Sequence, residues 1–491
     1  MLLLGIDVGT SSIKVSVVDA ATQKVIASAQ YPEQETPILA VNPGWAEQSP
    51  EMWWEHVQKA IKICNSEQIY DPLDIAAIGI AYQMHGLVLV DKDQNILRNS
   101  IIWCDSRAVE IGDKAFEAIG AEQCLTHLLN SPGNFTASKL AWVKQNEPEI
   151  YARVHKIMLP GDFISMKLTG EINTSVSALS EGIFFDFLSG ELSKDVINYF
   201  GFDTSILPEV QPLFSSHGLL LGSVAQALNL KPGIPVSYKA GDQPNNALSL
   251  NVLNPGEIAA TAGTSGVIYG VGEKLTYDKQ SRINTFAHVN YTAEQQRTGV
   301  LLCINGVGSM YRWLKQLLVD YSYLQINELS ADAPPGSEGL LVLPFGNGAE
   351  RMLNNQQVGA HFENIDLNKH TRAHVARAVQ EGIAFAFRYG LDIMRENGIN
   401  PAVIRAGQGN LFLSPLFTQT FVNITGVPVE LYKNDGSAGA AIGAGIGANI
   451  FSSPGEAFEH FHPIATVQPA SQDLEPFYQQ WKQSLKRHLA D

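Results

Sequence analysis

The fold is decided by one stretch near the start of the chain, Leu2-Leu3-Leu4-Gly5-Ile6-Asp7-Val8-Gly9-Thr10-Ser11-Ser12-Ile13-Lys14. An apolar run meets one acidic residue, a Gly-Thr-Ser-Ser turn follows, and a second apolar run ends at Asp19. This pattern predicts two strands joined by a tight turn, a β-hairpin. Because glycine lets backbone N–H groups approach an anion and the hydroxyls add donors, the turn suits a phosphate. Asp7, at the mouth of the turn, is placed to hold a divalent cation directly or through water.

The same theme recurs about half a chain later, in Ile258–Tyr269, which reads Ile-Ala-Ala-Thr-Ala-Gly-Thr-Ser-Gly-Val-Ile-Tyr. Either turn by itself also fits an ordinary hairpin with no ligand. The two turns occur together, and Gly241-Asp242 lies just before the second one. This favours a duplicated architecture whose two halves bind one phosphate chain.

Length and composition limit the classes of protein to which this chain can belong. The 491 residues suffice for two domains of roughly 200–250 residues. A balance of 33 Lys+Arg against 49 Asp+Glu argues against nucleic acid or an anionic membrane as a partner. The four cysteines are scattered, and the first residues lack the basic segment of a secretory signal, so we expect a cytoplasmic protein. A homodimer is compatible with the sequence.

Polar residues follow several predicted strands directly. Gln83-Met84-His85-Gly86 comes after the apolar strand Ile75–Ala81, and Asp105 with Arg107 follows the strand Ile101–Trp103. Open α/β sheets bind ligands at the carboxyl ends of their strands, and a polyol needs this mixture of donors and acceptors. A packed or capped histidine is the alternative for His85.

A third strand, Val236–Ala240, runs into Gly241-Asp242-Gln243 and exposes a carboxylate at a strand end; a simple Asx-turn is the alternative. The chain has neither a phosphate-binding Gly-x-x-x-x-Gly-Lys-Ser/Thr loop nor the catalytic loop of protein kinases. Phosphoryl transfer would instead need a metal and a base near the acceptor hydroxyl. Asp7 suits the first role and Asp242 the second.

Together these motifs resemble the FGGY carbohydrate kinase family, a branch of the actin-like ATPase superfamily. The resemblance covers nearly the whole chain and rests on the Asp7–Ser11 turn, Gln83–Gly86, Trp103–Arg107, Gly241-Asp242 and Ala262–Gly266. It implies an α/β fold of two ribonuclease-H-like domains with a central cleft. Residues 1–246 would bind sugar and metal, and residues 247–491 would bind the nucleotide.

The resemblance also implies a role for each motif. Asp242 would deprotonate the terminal hydroxyl of a sugar, which then attacks the γ-phosphate of ATP, while Asp7 would organise Mg²⁺. The residues expected to contact the sugar are Gln83, Met84, His85, Asp105 and Gln243. Those expected to contact the nucleotide and its phosphates are Gly9, Thr10, Ser11, Ser12, Lys14, Gly263, Thr264, Ser265, Gly407 and Asn410.

The substrate stays open between related sugars. Gln83-Met84-His85-Gly86 resembles the branch of the family that phosphorylates xylulose, whereas Asp242-Gln243 is also seen in the glycerol branch. A kinase for D-xylulose is the first hypothesis, and a kinase for gluconate, glycerol, ribulose or another polyol is the second. A non-catalytic actin-like protein that assembles filaments is the third.

Two loops complete the expectations. Ser131–Phe135 reads as a surface loop. Glu350 and Arg351 form either a surface ion pair or part of the cleft.

Overall fold

The computed structural model describes residues 1–489, which divide into two compact units. The first unit comprises residues 1–251, 286–298 and 435–461. The second comprises residues 252–285, 299–434 and the described residues from His462 onward. The sequence places all of 247–491 in one domain, whereas the structure packs the segment 435–461 with the first unit.

Strands and helices, singly or in groups, alternate along the chain. In order they are β1 Leu2–Val8, β2 Ile13–Asp19, β3 Val25–Tyr31, β4 Glu47–Gln48, β5 Ile75–Tyr82, β6 Val88–Val90, β7 Ser100–Ile101, β8 Lys156–Met158, β9 Asn173–Thr174, β10 Phe185–Asp186, β11 Glu191–Leu192, β12 Glu209–Val210, β13 Val236–Gly241, β14 Glu257–Ala262, β15 Gly266–Gly272, β16 Asn284–Ala287, β17 Thr298–Ile304, β18 Leu341–Phe345, β19 Gly359–Glu363, β20 Val403–Gly407, β21 Val429–Tyr432 and β22 Ala465–Val467.

The helices are α1 Pro50–Ser66, α2 Val109–Ile119, α3 Ala121–His127, α4 Thr136–Asn146, α5 Pro148–Tyr151, α6 Pro160–Thr169, α7 Val176–Glu181, α8 Lys194–Phe200, α9 Gly222–Leu228, α10 Asp242–Ser249, α11 Val307–Leu317, α12 Tyr323–Ser330, α13 Arg372–Glu396, α14 Pro415–Thr425, α15 Gly436–Gly447, α16 Pro454–Ala457 and α17 Glu475–Leu489. Short 3₁₀ helices span Pro72–Asp74, Thr204–Ile206, Pro335–Gly339, Arg351–Leu353 and Asn410–Leu413.

The first unit is built on a five-stranded sheet in the order β13-β5-β1-β2-β3. The predicted hairpin is confirmed, because β1 and β2 pair antiparallel from Leu2 opposite Asp19 to Val8 opposite Ile13. β5 lies parallel to both β1 and β13. The carboxyl ends of these three neighbouring strands therefore meet at one end of the sheet.

The glycine-rich helix α15 packs against the centre of this sheet. A Cβ added at Gly5 would lie 1.7 Å from the carbonyl oxygen of Ser437, and one at Gly79 would lie 1.9 Å from that of Ala440. Glycine is required at both positions because the helix backbone itself occupies the space of a side chain. This contact explains why residues 435–461 belong to the first unit.

The second unit is built around a seven-stranded sheet in the order β16-β17-β15-β14-β20-β21-β22. The second predicted hairpin is also confirmed, since β14 and β15 pair antiparallel. Most residues of helix α13 are buried. On α17, Trp481 is fully buried, and its indole N–H donates to the carbonyl of Val342 at 2.8 Å. Among the described residues, no helix combines the length and hydropathy needed to cross a membrane.

We predict that Gly5→Ala destabilises the protein, because the added methyl group overlaps the backbone of α15. Overpacking of this kind costs about 3 kcal/mol, which lowers the midpoint of thermal unfolding by about 5 °C or more. The matched control is Gly222→Ala at the start of α9, where a Cβ meets no other atom within 4 Å. A midpoint for Gly5→Ala equal to that of the control would contradict the assigned contact.

Candidate active site

Three of the motifs come together at the carboxyl edge of the first sheet. Val8 at the end of β1 pairs with Tyr82 of β5, and Tyr82 pairs with Gly241 of β13. Asp7 is the residue before Val8, and Asp242 follows Gly241 as the first residue of α10. The sheet register thus gathers Asp7, Asp242 and the turn that starts at Gln83.

Asp7 and Asp242 are half-buried residues, and each has another carboxylate near it. Burial raises the pKa of Asp242 to about 7, with a further contribution from the charge of Asp7. Burial also raises the pKa of Asp7 to about 6, and Asp435 adds to this, whereas Lys14 acts in the opposite direction. Several carboxylates close together in a half-buried site favour a bound cation.

Asp435 was missed by the sequence reasoning. It caps α15, accepting from the backbone N–H of Ser437 at 2.8 Å, and the next residue, Gly436, approaches Asp7 so closely that a Cβ would lie 2.5 Å from Asp7 Oδ2. Nearly two hundred residues separate it from Asp242. An acid before a small residue is a common N-cap signal, so the local sequence predicts a cap and no more.

The oxygen atoms at this edge fit a magnesium ion. Besides the two carboxylates, Gln243 Oε1 and Asn245 Oδ1 are buried without a hydrogen-bond partner. Asn245 donates its amide to the carbonyl of Gly436 at 2.8 Å, and the Gln243 side chain bonds Asp242. Within residues 1–489 no three Asp, Glu, His or Cys side chains form a metal-binding group. Mg²⁺ is usually bound by one or two carboxylates together with water and substrate phosphates.

The first glycine turn is connected to the Gln83 turn by side-chain hydrogen bonds. Thr10 Oγ1 donates to Gln83 Oε1 at 3.1 Å and accepts from the indole N–H of Trp103 at 3.0 Å. Gln48 donates to the Thr10 carbonyl at 2.8 Å and accepts from the Gln83 amide at 3.2 Å. Gln83 is therefore engaged within the protein.

The other residues predicted around this turn differ in exposure. Gly9, Ser11 and Ser12 lie in the turn itself, and Lys14 is exposed on β2 opposite Asp7. Met84 is buried, whereas His85 and Gln243 are partly exposed. Their contacts with phosphate and sugar stay predictions.

Asp105 lies in a buried ion cluster. Its carboxylate accepts from the Ala46 N–H at 2.6 Å and from the Arg107 guanidinium at 2.7 Å, and its side chain is fully buried. Arg107 also pairs with Glu47 at 2.7 Å and lies over the Trp45 ring, 3.8 Å from its centroid. The sequence placed Asp105 and Arg107 at a strand end but did not predict Glu47 as a partner. The sugar contact expected of Asp105 stays a prediction.

We predict that Arg107→Met is strongly destabilising, because it leaves Asp105 buried without its counter-ion. Losing one partner of a buried ion pair costs about 3–5 kcal/mol. Lys114→Met is the control, since Lys114 pairs with Glu110 on the exposed face of α2 and its removal should leave thermal unfolding unchanged. Equal unfolding midpoints for the two variants would contradict this assignment.

The second unit brings another set of predicted residues together. The Gly263–Ser265 turn joins β14 to β15, and its Gly263 and Thr264 carbonyls accept from the backbone N–H groups of Gly308 and Ser309 at 2.9 and 3.1 Å. A Cβ at Gly263 would lie 3.6 Å from Asn410 Nδ2. Because β14 and β20 are parallel neighbours, this turn and the Gly407–Asn410 segment lie at the same edge of their sheet.

One loop prediction is wrong, and one of the two alternatives for another loop is excluded. In the loop Ser131–Phe135, three residues are buried, namely Pro132, Gly133 and Phe135, so it is not a surface loop. Phe135 packs against the His85 ring, with 4.8 Å between the ring centroids.

Glu350 is completely buried and accepts from the Asn305 N–H at 2.9 Å, which excludes a surface ion pair with Arg351. Burial raises the pKa of Glu350 to about 7.

Comparison with known proteins gives the family. The profile of the FGGY family of carbohydrate kinases matches in both parts, its N-terminal domain at residues 2–249 and its C-terminal domain at residues 258–450. The chain belongs to the FGGY family of carbohydrate kinases. The α/β fold of two domains expected from the resemblance is confirmed, and the enzyme is an ATP-dependent sugar kinase, a transferase.

Similar proteins match along nearly their full length. The xylulose kinase of Bacillus subtilis strain 168 is 30% identical over 487 residues, which cover 97% of this chain and 94% of the relative. The structure of a xylulose kinase from Rhodospirillum rubrum has a TM-score of 0.87 at 23% identity and covers 100% of both chains. A gluconate kinase from Lactobacillus acidophilus has a TM-score of 0.88 at 21% identity, with 100% and 98% coverage. The likeness to these two structures establishes the fold alone.

Proposed function

We propose that this FGGY kinase phosphorylates the terminal hydroxyl of D-xylulose, giving D-xylulose 5-phosphate and ADP, with Asp242 as the general base. The observation that carries the proposal is the position of Asp242 beside Asp7 at the carboxyl edge of the first sheet, where burial raises the pKa of Asp242 to about 7. A general base works best when its pKa is near the operating pH. The full-length similarity to xylulose kinases supports the choice of sugar.

The proposal assigns the acceptor sugar to the Gln83–His85 turn and to Gln243. Gln243 bonds Asp242, and its buried Oε1 has no protein partner, so a sugar hydroxyl could donate to it. Met84 and His85 would contact the same sugar. Asp105 would contribute either directly or by fixing Arg107.

Magnesium and ATP complete the proposal. Asp7 would hold Mg²⁺, whose charge would offset that of the phosphates and of the neighbouring carboxylates. The Gly9–Ser12 turn and Lys14 would bind phosphate, as would the Gly263–Ser265 turn. Gly407 and Asn410 would lie along the adenosine, which the proximity of Asn410 to Gly263 supports.

The substrate is tested by measuring ADP release in the presence of Mg²⁺ and ATP across D-xylulose, D-ribulose, L-ribulose, gluconate and glycerol. We expect D-xylulose to give the highest kcat/KM. A preference for gluconate or glycerol would overturn the choice of sugar while keeping the kinase reaction. ADP release that no sugar stimulates, together with nucleotide-dependent polymerisation, would favour the filament alternative.

A dimer and a cytoplasmic location stay predictions from the sequence.

We predict that Asp242→Asn lowers kcat by about 10²–10⁴-fold, because the amide cannot accept the hydroxyl proton. Binding of a non-hydrolysable ATP analogue, measured by calorimetry, should be retained. Asp113→Asn on α2 is the control, as it removes an equally negative but exposed carboxylate far along the chain from the sheet edge. An Asp242→Asn enzyme that turns over D-xylulose at the control's rate would rule out the base.

A further inference from the structure

His85 has an unusual backbone conformation for its residue type. Its φ is +61°, in the left-handed region that non-glycine residues adopt at a cost of about 1–3 kcal/mol. Such a conformation persists where surrounding contacts fix it. It lies in the turn between β5 and β6 that carries the proposed sugar-binding residues.

Three polar contacts from two helices hold this residue. The ammonium group of Lys139 on α4 donates to the His85 carbonyl at 2.9 Å. At the end of α7, Glu181 Oε1 accepts from the His85 backbone N–H at 3.4 Å, and the Glu181 carbonyl contacts His85 Nδ1 at 3.0 Å. Because a carbonyl only accepts, His85 Nδ1 carries the proton, and the neutral ring has Nε2 as its acceptor atom.

Apolar contacts fix the plane of the same ring. The His85 ring packs against Phe135 and Phe286, with centroids 4.8 and 5.4 Å away. Backbone, tautomer and ring orientation of His85 are thus each determined by neighbours from distant parts of the sequence.

The ammonium group of Lys139 is buried without a paired carboxylate within residues 1–489, which is energetically unfavourable. Its side chain is completely buried, and burial lowers its pKa to about 7, although Asp105 and Glu181 act in the opposite direction. Among the described residues no carboxylate forms an ion pair with Lys139, and its one hydrogen bond goes to the His85 carbonyl. Burying an ammonium group without a paired charge is unfavourable. If position 139 only had to fill space in the core, a methionine side chain would pack there equally well.

We propose that Lys139 and Glu181 are positioning residues for sugar recognition, which together hold His85 in its left-handed conformation and present its ring to the sugar in one orientation and tautomer. This inference rests on the proposed function, in which the His85 turn binds the sugar. It adds two residues that act on sugar binding through their contacts with His85.

The test is Lys139→Met, which keeps the length and apolar stem of the side chain and removes the donor. We expect KM for D-xylulose to rise at least about tenfold, the effect of losing a hydrogen bond that leaves a buried carbonyl unpaired. The dissociation constant of the ATP analogue should be unchanged. Amide hydrogen exchange of the peptide covering residues 83–86 should become faster in the free protein.

Lys144→Met is a matched control on the same helix. Lys144 donates to the carbonyl of Phe200 at 2.8 Å, so it is also a lysine that holds a backbone carbonyl, but at the end of α8. This variant should keep the wild-type KM for D-xylulose and the wild-type exchange at residues 83–86. If both lysine variants change KM and stability alike, Lys139 is merely structural and the proposal fails.

Glu181 gives a second, independent test if Lys139→Met does not fold. Glu181→Leu should raise KM for D-xylulose, whereas Glu181→Gln should restore it because the amide oxygen still accepts from the His85 N–H. Unchanged KM and unchanged exchange at residues 83–86 in the foldable variants would overturn the inference. If the wild type phosphorylates no sugar of the panel, the proposed function fails, while the exchange measurement still decides whether Lys139 and Glu181 hold the turn.

Discussion

The first unit depends on the close approach of α15 to the middle of its sheet. Gly5 and Gly79 remove the side chains that would keep the helix away, and the Ser437 and Ala440 carbonyls occupy that space. The same approach carries Asp435 and Gly436 to Asp7. This packing contributes to the electrostatics of the site: burial raises the pKa of Asp7, and the charge of Asp435 raises it further.

The sequence was most informative where a signal is local. Alternating apolar residues around a glycine turn predicted both hairpins. Asp242 was predicted at a strand end because it follows the apolar strand Val236–Ala240, and open α/β sheets bind ligands at such ends. The resemblance to a family added the roles of these residues.

What the sequence could not predict is the identity of partners that meet only through tertiary packing. Lys139, Glu181 and Phe286 approach His85 from three separate segments, and none carries a motif of its own. The loop Ser131–Phe135 was predicted to be exposed from its proline, glycine and asparagine. Those residues indicate a turn correctly, but they do not indicate whether another element covers it.

The polar groups at the sheet edge also bear on the kind of acceptor. Gln243 directs its amide group to Asp242, which leaves its buried oxygen in need of a donor, and Asn245 Oδ1 is in the same situation. Hydroxyl groups and metal-bound water can donate to these oxygens, whereas a second carboxylate cannot. A sugar acid that bound with its carboxylate at this edge would add negative charge beside Asp7, Asp242 and Asp435. The electrostatics of this edge therefore support the proposal of an uncharged ketose or polyol as the acceptor.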